Sequence, residues 1–426
     1  MRAALWLLAL FAVAVAVALF AGNNQGTVTV FWPPYRVDLS LNLVLVLLSA
    51  GFALLYAALR GSATLLEMPG RAHRWRALQR ERAMHQALLE SLTQLLAGRF
   101  LRSRRAAEAA IAQERNLSEA REPVPHGPQL RTLAHLLAAE AAHALQDGGL
   151  RESHLEQALD GLPARATASE VELREGAQLR AARWALDDRD AALALERLAG
   201  LSVGASRRTL ALRARLKAAR LSHRTAEALD TARLLAKHRA FSPAGAASIV
   251  RSLVLALIDE AHDTAQLERA WSGLEPAERT MPEVAMHAAQ RLADLGGDPA
   301  QVRGWLLPVW ERAASGAPSL RSDQMLKLVT VLQGNLHGLD AAWLARIEAA
   351  SQAHPHDARL QYLSAMACMQ RALWGKAQQL LARAAPQLAE PALRGNAWRA
   401  LAELAEQRGD AEAAQHAWKQ AALVGR

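Results

Sequence analysis

The chain has 426 residues, a formal net charge of +9, 51% hydrophobic and 5% aromatic residues, and one cysteine, Cys368. A single cysteine excludes a disulfide framework, a CxxC metal or redox site and a CxxCH haem attachment. The basic excess is local: between residues 60 and 105 ten arginines face only Glu67, Glu81 and Glu90, and the rest is near balance.

Two apolar runs, 3–21 and 41–59, open the chain. Neither carries a charge, and both are apolar all round, unlike an amphipathic core helix. At ~1.5 Å per residue the first reaches roughly 28 Å, close to the ~30 Å hydrocarbon core of a bilayer. Both are read as membrane-spanning helices. A cleaved signal peptide, with Ala16-Val17-Ala18 as its small-residue triplet, is the alternative for the first run.

Residues 22–40 carry one Arg and one Asp, Arg36 and Asp38. Thr27 to Trp32 reads as a short extended segment stopped by Pro33-Pro34, with Trp32 and Tyr35 as interfacial anchors. After the second run come Arg60, Arg71, Arg74, Arg76, Arg80 and Arg82. Lys and Arg concentrate on the cytoplasmic side, so the expected topology is N-terminus in, loop out, C-terminal array in. If the first run is cleaved, the second still ends in the cytoplasm. Beside a span, these six arginines are expected to meet anionic headgroups, and no nucleic-acid partner is expected.

From residue 71 onward the sequence is helical, rich in Ala, Leu, Arg, Glu and Gln. Trp75, Leu78, Leu88, Leu89, Leu92, Leu95 and Leu96 make the apolar face of a first helix, ended at Gly98. Helix, turn, helix then recurs. Its clearest copy is the last. Trp398, Leu401, Ala402 and Ala405 precede a turn at Gly409-Asp410, and Ala414, Trp418 and Ala421 follow. Large and small residues at that spacing are the tetratricopeptide pattern. In the preceding unit Cys368 takes a small packed position, and His354-Pro355-His356-Asp357 reads as the inter-repeat turn. The middle units are more degenerate, with breaks near Asp187-Asp188, Ser222-His223 and Ser242-Pro243.

The expected fold is all-α: an N-terminal two-helix transmembrane hairpin followed by a tetratricopeptide-like α-solenoid. The expected divisions are 1–60 for the hairpin, 61–105 for an Arg-rich juxtamembrane helix, 106–240 for one repeat subarray and 241–426 for a second. No GxSxG, Walker or HExxH motif is present, and paired carboxylates such as Asp187-Asp188 sit on solvated helix faces. No cofactor is evident: porphyrin or haem would have to bind without a ligand motif. A stacked array instead builds a groove suited to protein partners.

The layout resembles the proteobacterial HemY-type membrane proteins encoded with haem-synthesis genes. These are distinct from the protoporphyrinogen oxidase that shares the label elsewhere. The matching pieces are the hairpin, Trp75-Arg76, the turn Leu95-Leu96-Ala97-Gly98 and the run Leu137-Ala138-Ala139-Glu140-Ala141-Ala142. Trp271, Leu274 and Pro276 match further on, as does the closing pair Trp398 and Trp418. Arg183 and Ser222 depart from the repeat pattern. The resemblance implies a bacterial inner-membrane, multi-pass protein acting at a late, protoporphyrin-handling step. It would gather haem-synthesis proteins as a non-enzymatic scaffold, and it carries over no catalytic residue. Rival readings are a repeat adaptor for cell-envelope or cytochrome c assembly, and a porphyrin-binding enzyme.

Overall fold

The computed structural model describes residues 25–119, 125–161, 167–315 and 320–424, with 11, 13, 14, 16–18 and 22; the side chains of 63–74 and 77 fall outside it. The first apolar run therefore lies mostly outside the described residues. The chain forms two compact units, Met1–Leu173 and Arg174–Arg426.

The first unit begins with a β-hairpin. Strands β1 (Thr27–Trp32) and β2 (Tyr35–Ser40) pair antiparallel, with Trp32 opposite Tyr35 and Thr27 opposite Ser40. The extended segment expected from the sequence thus has a partner strand, so among the described residues the regular structure is helical apart from this ribbon. The physical reason is a β-branched and aromatic run on either side of a Pro-Pro turn. Ser40 then caps α1 (Leu41–Leu96), its Oγ accepting from the Leu43 amide at 3.3 Å. α1 runs 56 residues without a break at Arg60.

Four further helices follow: α2 (Phe100–Glu119), α3 (Gly127–Ala144), α4 (Gly148–Asp160) and α5 (Ala168–Asp187). The end of α1 packs on α2 and also touches α3, while α3 pairs with α4. Two apolar stripes compete on α1, and the narrower contact wins. Met84 and Ser91 are buried, while Trp75, Leu78, Leu89, Leu92 and Leu96 stay exposed. Ser91 and Ser103 explain the choice. The Ser103 hydroxyl donates to the Ser91 carbonyl at 2.8 Å, so two small residues bring α1 and α2 close.

The second unit holds the rest of α5 and then α6 (Ala191–Ala199), α7 (Val203–Ser206), α8 (Thr209–Leu221) and α9 (Thr225–Lys237). Next come α10 (Pro243–Asp259), α11 (Thr264–Ser272), α12 (Pro276–Arg279), α13 (Pro282–Asp294) and α14 (Pro299–Ser315). The last six are α15 (Ser322–Gly334), α16 (Ala341–Ala353), α17 (Ala358–Gln370), α18 (Trp374–Ala384), α19 (Pro391–Gln407) and α20 (Ala411–Val424). Neighbours pair antiparallel, and the first helices of successive pairs, α10, α13, α15, α17 and α19, pack side by side. That is the construction of a helical-repeat solenoid. One core runs from Leu212 to Leu404, passing residue 240 without interruption. Alanines without exposed surface, such as Ala288, Ala365 and Ala377, let the helices approach.

Most turns inside the pairs share one device. A residue in the left-handed region ends the first helix, and an Asp often caps the second. Gly98, Gly296 and Gly409 fill that position, but so do Gln146, Arg189, His223 and Ala372. Asp147, Asp190 and Asp410 follow three of them and accept from the amides of Leu150, Leu193 and Ala413. At Gly297 a Cβ would lie 2.4 Å from Leu292 Cδ1, so the turn there requires glycine.

Candidate membrane anchor and partner grooves

Leu41–Ser62 is a 22-residue stretch of α1 long and apolar enough to cross a membrane, and none of it is buried. Leu48, Phe52 and Leu54 are 67%, 72% and 72% exposed. Among the described residues no other helix meets that test. Where it ends, the Arg60 guanidinium donates to the Tyr56 hydroxyl at 3.0 Å and lies 6.0 Å from the Tyr56 ring centre.

Of the other basic residues of interest, Arg76, Arg80 and Arg82 are exposed, and the side chains of Arg71 and Arg74 lie outside the described residues. At ~1.5 Å per residue, Arg82 stands about 33 Å along the axis from Arg60. Surface fields fade within ~8–10 Å at physiological salt. For Arg76, Arg80 and Arg82 to meet headgroups, α1 beyond Ser62 has to run along the surface. Pro69 and Gly70 lie between the apolar stretch and Arg76. A proline removes a helical hydrogen bond, so the chain bends there most readily.

In the second unit a groove of about 460 Å³ opens between α5 and α8. Leu179, Leu186, Leu210 and Ala214 form its apolar floor. Arg180, Arg183, Arg213 and Lys217 form the rim, with Asp187 the sole acid lining it. Lys217 reaches Asp187 at 3.5 Å, and Arg213 donates to the Ala240 carbonyl at 2.7 Å. Arg183, a departure from the repeat pattern, is thus an exposed rim residue. A second groove of about 820 Å³ is walled by Arg233, which grips Glu278 in a two-pronged pair at 2.6 and 3.0 Å. That hydrogen-bonded pairing raises the Arg233 pKa.

The last repeat carries a third groove, about 470 Å³, lined by Trp398, Leu401, Ala405, Ala413 and His416. Ala402 and Ala414 are buried, Gly409 turns at φ +78°, and Ala421 is half-buried. Trp418 is 39% exposed and donates from Nε1 to Glu406 Oε1 at 2.7 Å. Trp271 stacks on Trp305 with ring centres 4.5 Å apart, and Leu274 is buried beside the short helix opened by Pro276.

Cys368 lines none of these three grooves. Cys368 is fully buried, and burial together with Glu348, whose Oε1 lies 3.5 Å from Sγ, pushes its thiol up to about 11. Burial pushes the Tyr362 phenol up to about 12. His354 and His356 sit in an inter-repeat turn beside Asp357 and Arg359. Among the described residues no three His, Cys, Asp or Glu side chains converge as metal ligands. Asp190 caps α6, and Asp187 pairs with Lys217.

Two buried groups were not foreseen. Arg303, 2% exposed, donates to the carbonyls of Asn335, His337 and Gly338 at 2.6, 2.9 and 3.1 Å and so ties α14 to the loop after α15. Burial lowers its pKa. In the first unit His135 and His154 face each other with Nδ1 atoms 3.1 Å apart. Burial, then His154, then Arg131 lowers His135 to about 4.

A family model described as "HemY protein N-terminus" matches residues 26–146. The HemY-type resemblance is borne out over that segment. No curated protein sequence matches the chain. Among solved structures, one of Naa15/Naa10 bound to HypK-THB is similar at 15% identity and a TM-score of 0.28, over 78% of this chain and 56% of that one. The TPR domain of P58(IPK) is similar at 13% identity and a TM-score of 0.20, over 75% of this chain and 98% of that one. The repeat architecture is carried by the helix packing described above.

Proposed function

We propose that this chain, with its HemY-type N-terminal segment, is a membrane-anchored helical-repeat scaffold acting at a late, protoporphyrin-handling step of haem synthesis. The observation that carries the anchor is the unburied apolar length of Leu41–Ser62. At ~1.5 Å per residue it spans about 33 Å, enough for a bilayer core. In water such a helix would expose apolar area at roughly 25 cal/mol per Å². Lipid removes that cost.

The grooves support a binding role over a catalytic one. The α5–α8 groove offers an apolar floor under a mostly basic rim. That surface suits an acidic, amphipathic segment of a partner protein. The haem-synthesis assignment draws on the match at 26–146. The orientation, with the solenoid and the N-terminus cytoplasmic in a bacterial inner membrane, draws on the arginines after Ser62. Arg60, Arg71, Arg74, Arg76, Arg80 and Arg82 would hold anionic lipid in this arrangement.

Deletion of the gene tests the reading. Protoporphyrin-stage intermediates should accumulate and haem should fall. The full chain should restore both, and a chain beginning at residue 63 should not. Unchanged porphyrin and haem pools would remove the haem-synthesis assignment. Rescue by the shortened chain would remove the need for the anchor.

A further inference from the structure

The β1–β2 hairpin is two-faced in a way that its strands do not reveal singly. Opposed residues of an antiparallel pair share a face. Val28 faces Leu39, Val30 faces Val37, and Trp32 faces Tyr35, so one side of the ribbon carries six apolar or aromatic side chains. The other side carries Thr27 with Ser40, Thr29 with Asp38 and Phe31 with Arg36. That second side is internally partnered. Thr29 donates to Asp38 at 2.5 Å, Arg36 pairs with Asp38 at 3.3 Å, and the Arg36 guanidinium lies 5.6 Å from the Phe31 ring centre. Val28 and Leu39, nearest α1, are half-buried, but the rest of the apolar side is uncovered: Trp32, Tyr35, Val37 and Val30 are 76%, 71%, 47% and 45% exposed.

We propose that this hairpin lies flat on the membrane surface at the start of α1, with its apolar face against lipid and its polar face in water. The proposal rests on the reading of Leu41–Ser62 as a span. Three observations favour lipid over a protein as the cover. The hairpin is continuous with the apolar stretch, since α1 begins at the residue after β2 and the Leu41 amide donates to the Gly26 carbonyl at 2.9 Å. The most exposed residues of the face, Trp32 and Tyr35, are the types that settle at the headgroup boundary. The face is also small. Two six-residue strands at ~3.4 Å per residue and ~4.8 Å apart offer roughly 200 Å², against ~800 Å² per partner in a stable protein interface. A two-stranded ribbon is marginal alone in water, and a lipid surface under its apolar side supplies the missing layer.

Spin labels on the full chain, reconstituted into phosphatidylethanolamine–phosphatidylglycerol vesicles, test this. In a Cys368→Ala background, Val30→Cys and Val37→Cys report the apolar face, Arg36→Cys the polar face and Leu48→Cys the span. Labels at positions 30 and 37 should be several-fold more accessible to oxygen, relative to a water-soluble nickel chelate, than the label at position 36. Equal access of the chelate to all three hairpin labels, with position 48 shielded, would overturn the hairpin proposal and leave the span standing. Chelate access at position 48 would overturn the span, and the hairpin proposal with it. Labels at 30 and 37 closed to both oxygen and chelate would mean a protein covers the face, which also overturns it.

Discussion

The start of α1 and the whole of α10 are both dominated by apolar residues, yet they meet opposite surroundings. In Leu41–Ser62 apolar residues occupy every side of the helix and none is buried. In α10, Val250, Leu253, Val254 and Ile258 form one buried stripe, while Ser252 faces outward. The stripe packs against α9, α11 and α13. Apolar content is therefore not what separates a span from a core helix. The difference is whether the apolar residues need one neighbour or a solvent of their own kind.

The largest expected effect breaks that comparison directly. Ile258→Ala removes buried methylenes from α10 and should destabilise the second unit by about 3 kcal/mol. Leu48→Ala in α1 should leave the melting of both units unchanged, because Leu48 packs on no described core. Calorimetry of the two variants in detergent decides it. Comparable losses would mean that α1 is packed against protein.

Arg303→Met should cost nearly as much, about 3 kcal/mol. It keeps the bulk of the side chain but leaves the buried Asn335 carbonyl, and the more exposed ones of His337 and Gly338, without their donor. Denaturant unfolding of the second unit reads this loss, and Arg303→Lys should recover only part of it, since an ammonium lacks the planar fork. A loss under 1 kcal/mol in Arg303→Met would show that the loop at Asn335 finds water instead.

The first unit should be the acid-sensitive one. His135 and His154 share one hydrogen bond between like nitrogens, so one ring donates and the other accepts, and both are neutral. Protonating both would set donor against donor. The folded His135 pKa of about 4 lies below its unfolded value of 6.5. The unfolded chain thus binds the proton first, and the stability present above pH 6.5 is lost as pH falls toward 4. About 2 kcal/mol should go over that window, read by unfolding at fixed temperature. His135→Leu should flatten the profile there. A wild-type profile without slope in that range would end the claim.

Much of this architecture was legible in the sequence. The breaks at Asp187-Asp188, Ser222-His223 and Gly409-Asp410 fall between paired helices, because turn residues interrupt a 3.6-residue pattern with little ambiguity. The packed face of α1 was not legible. Periodicity reveals an apolar stripe but not which stripe is covered when a helix has two, and Ser91 with Ser103 decides that through close approach. The hairpin was legible only as one extended segment, since its two-faced character resides in the pairing of β1 with β2. Arg303 and the His135–His154 pair join residues 19 or more apart in sequence, and no local pattern marks them.

The smallest effect concerns a turn, and its sign is opposite to the others. Ala372 adopts φ +56° between α17 and α18, where Gly98, Gly296 and Gly409 serve in other pairs. The left-handed region costs an L-residue roughly 1–2 kcal/mol, while glycine enters it freely. Glycine also gains freedom in the unfolded chain, which offsets part of that relief. Ala372→Gly should therefore stabilise the second unit by about 1 kcal/mol. The same change at Ala365, buried mid-helix in α17, should destabilise it by a similar amount. The pair of variants separates turn geometry from glycine as such: the first should raise the unfolding midpoint and the second should lower it.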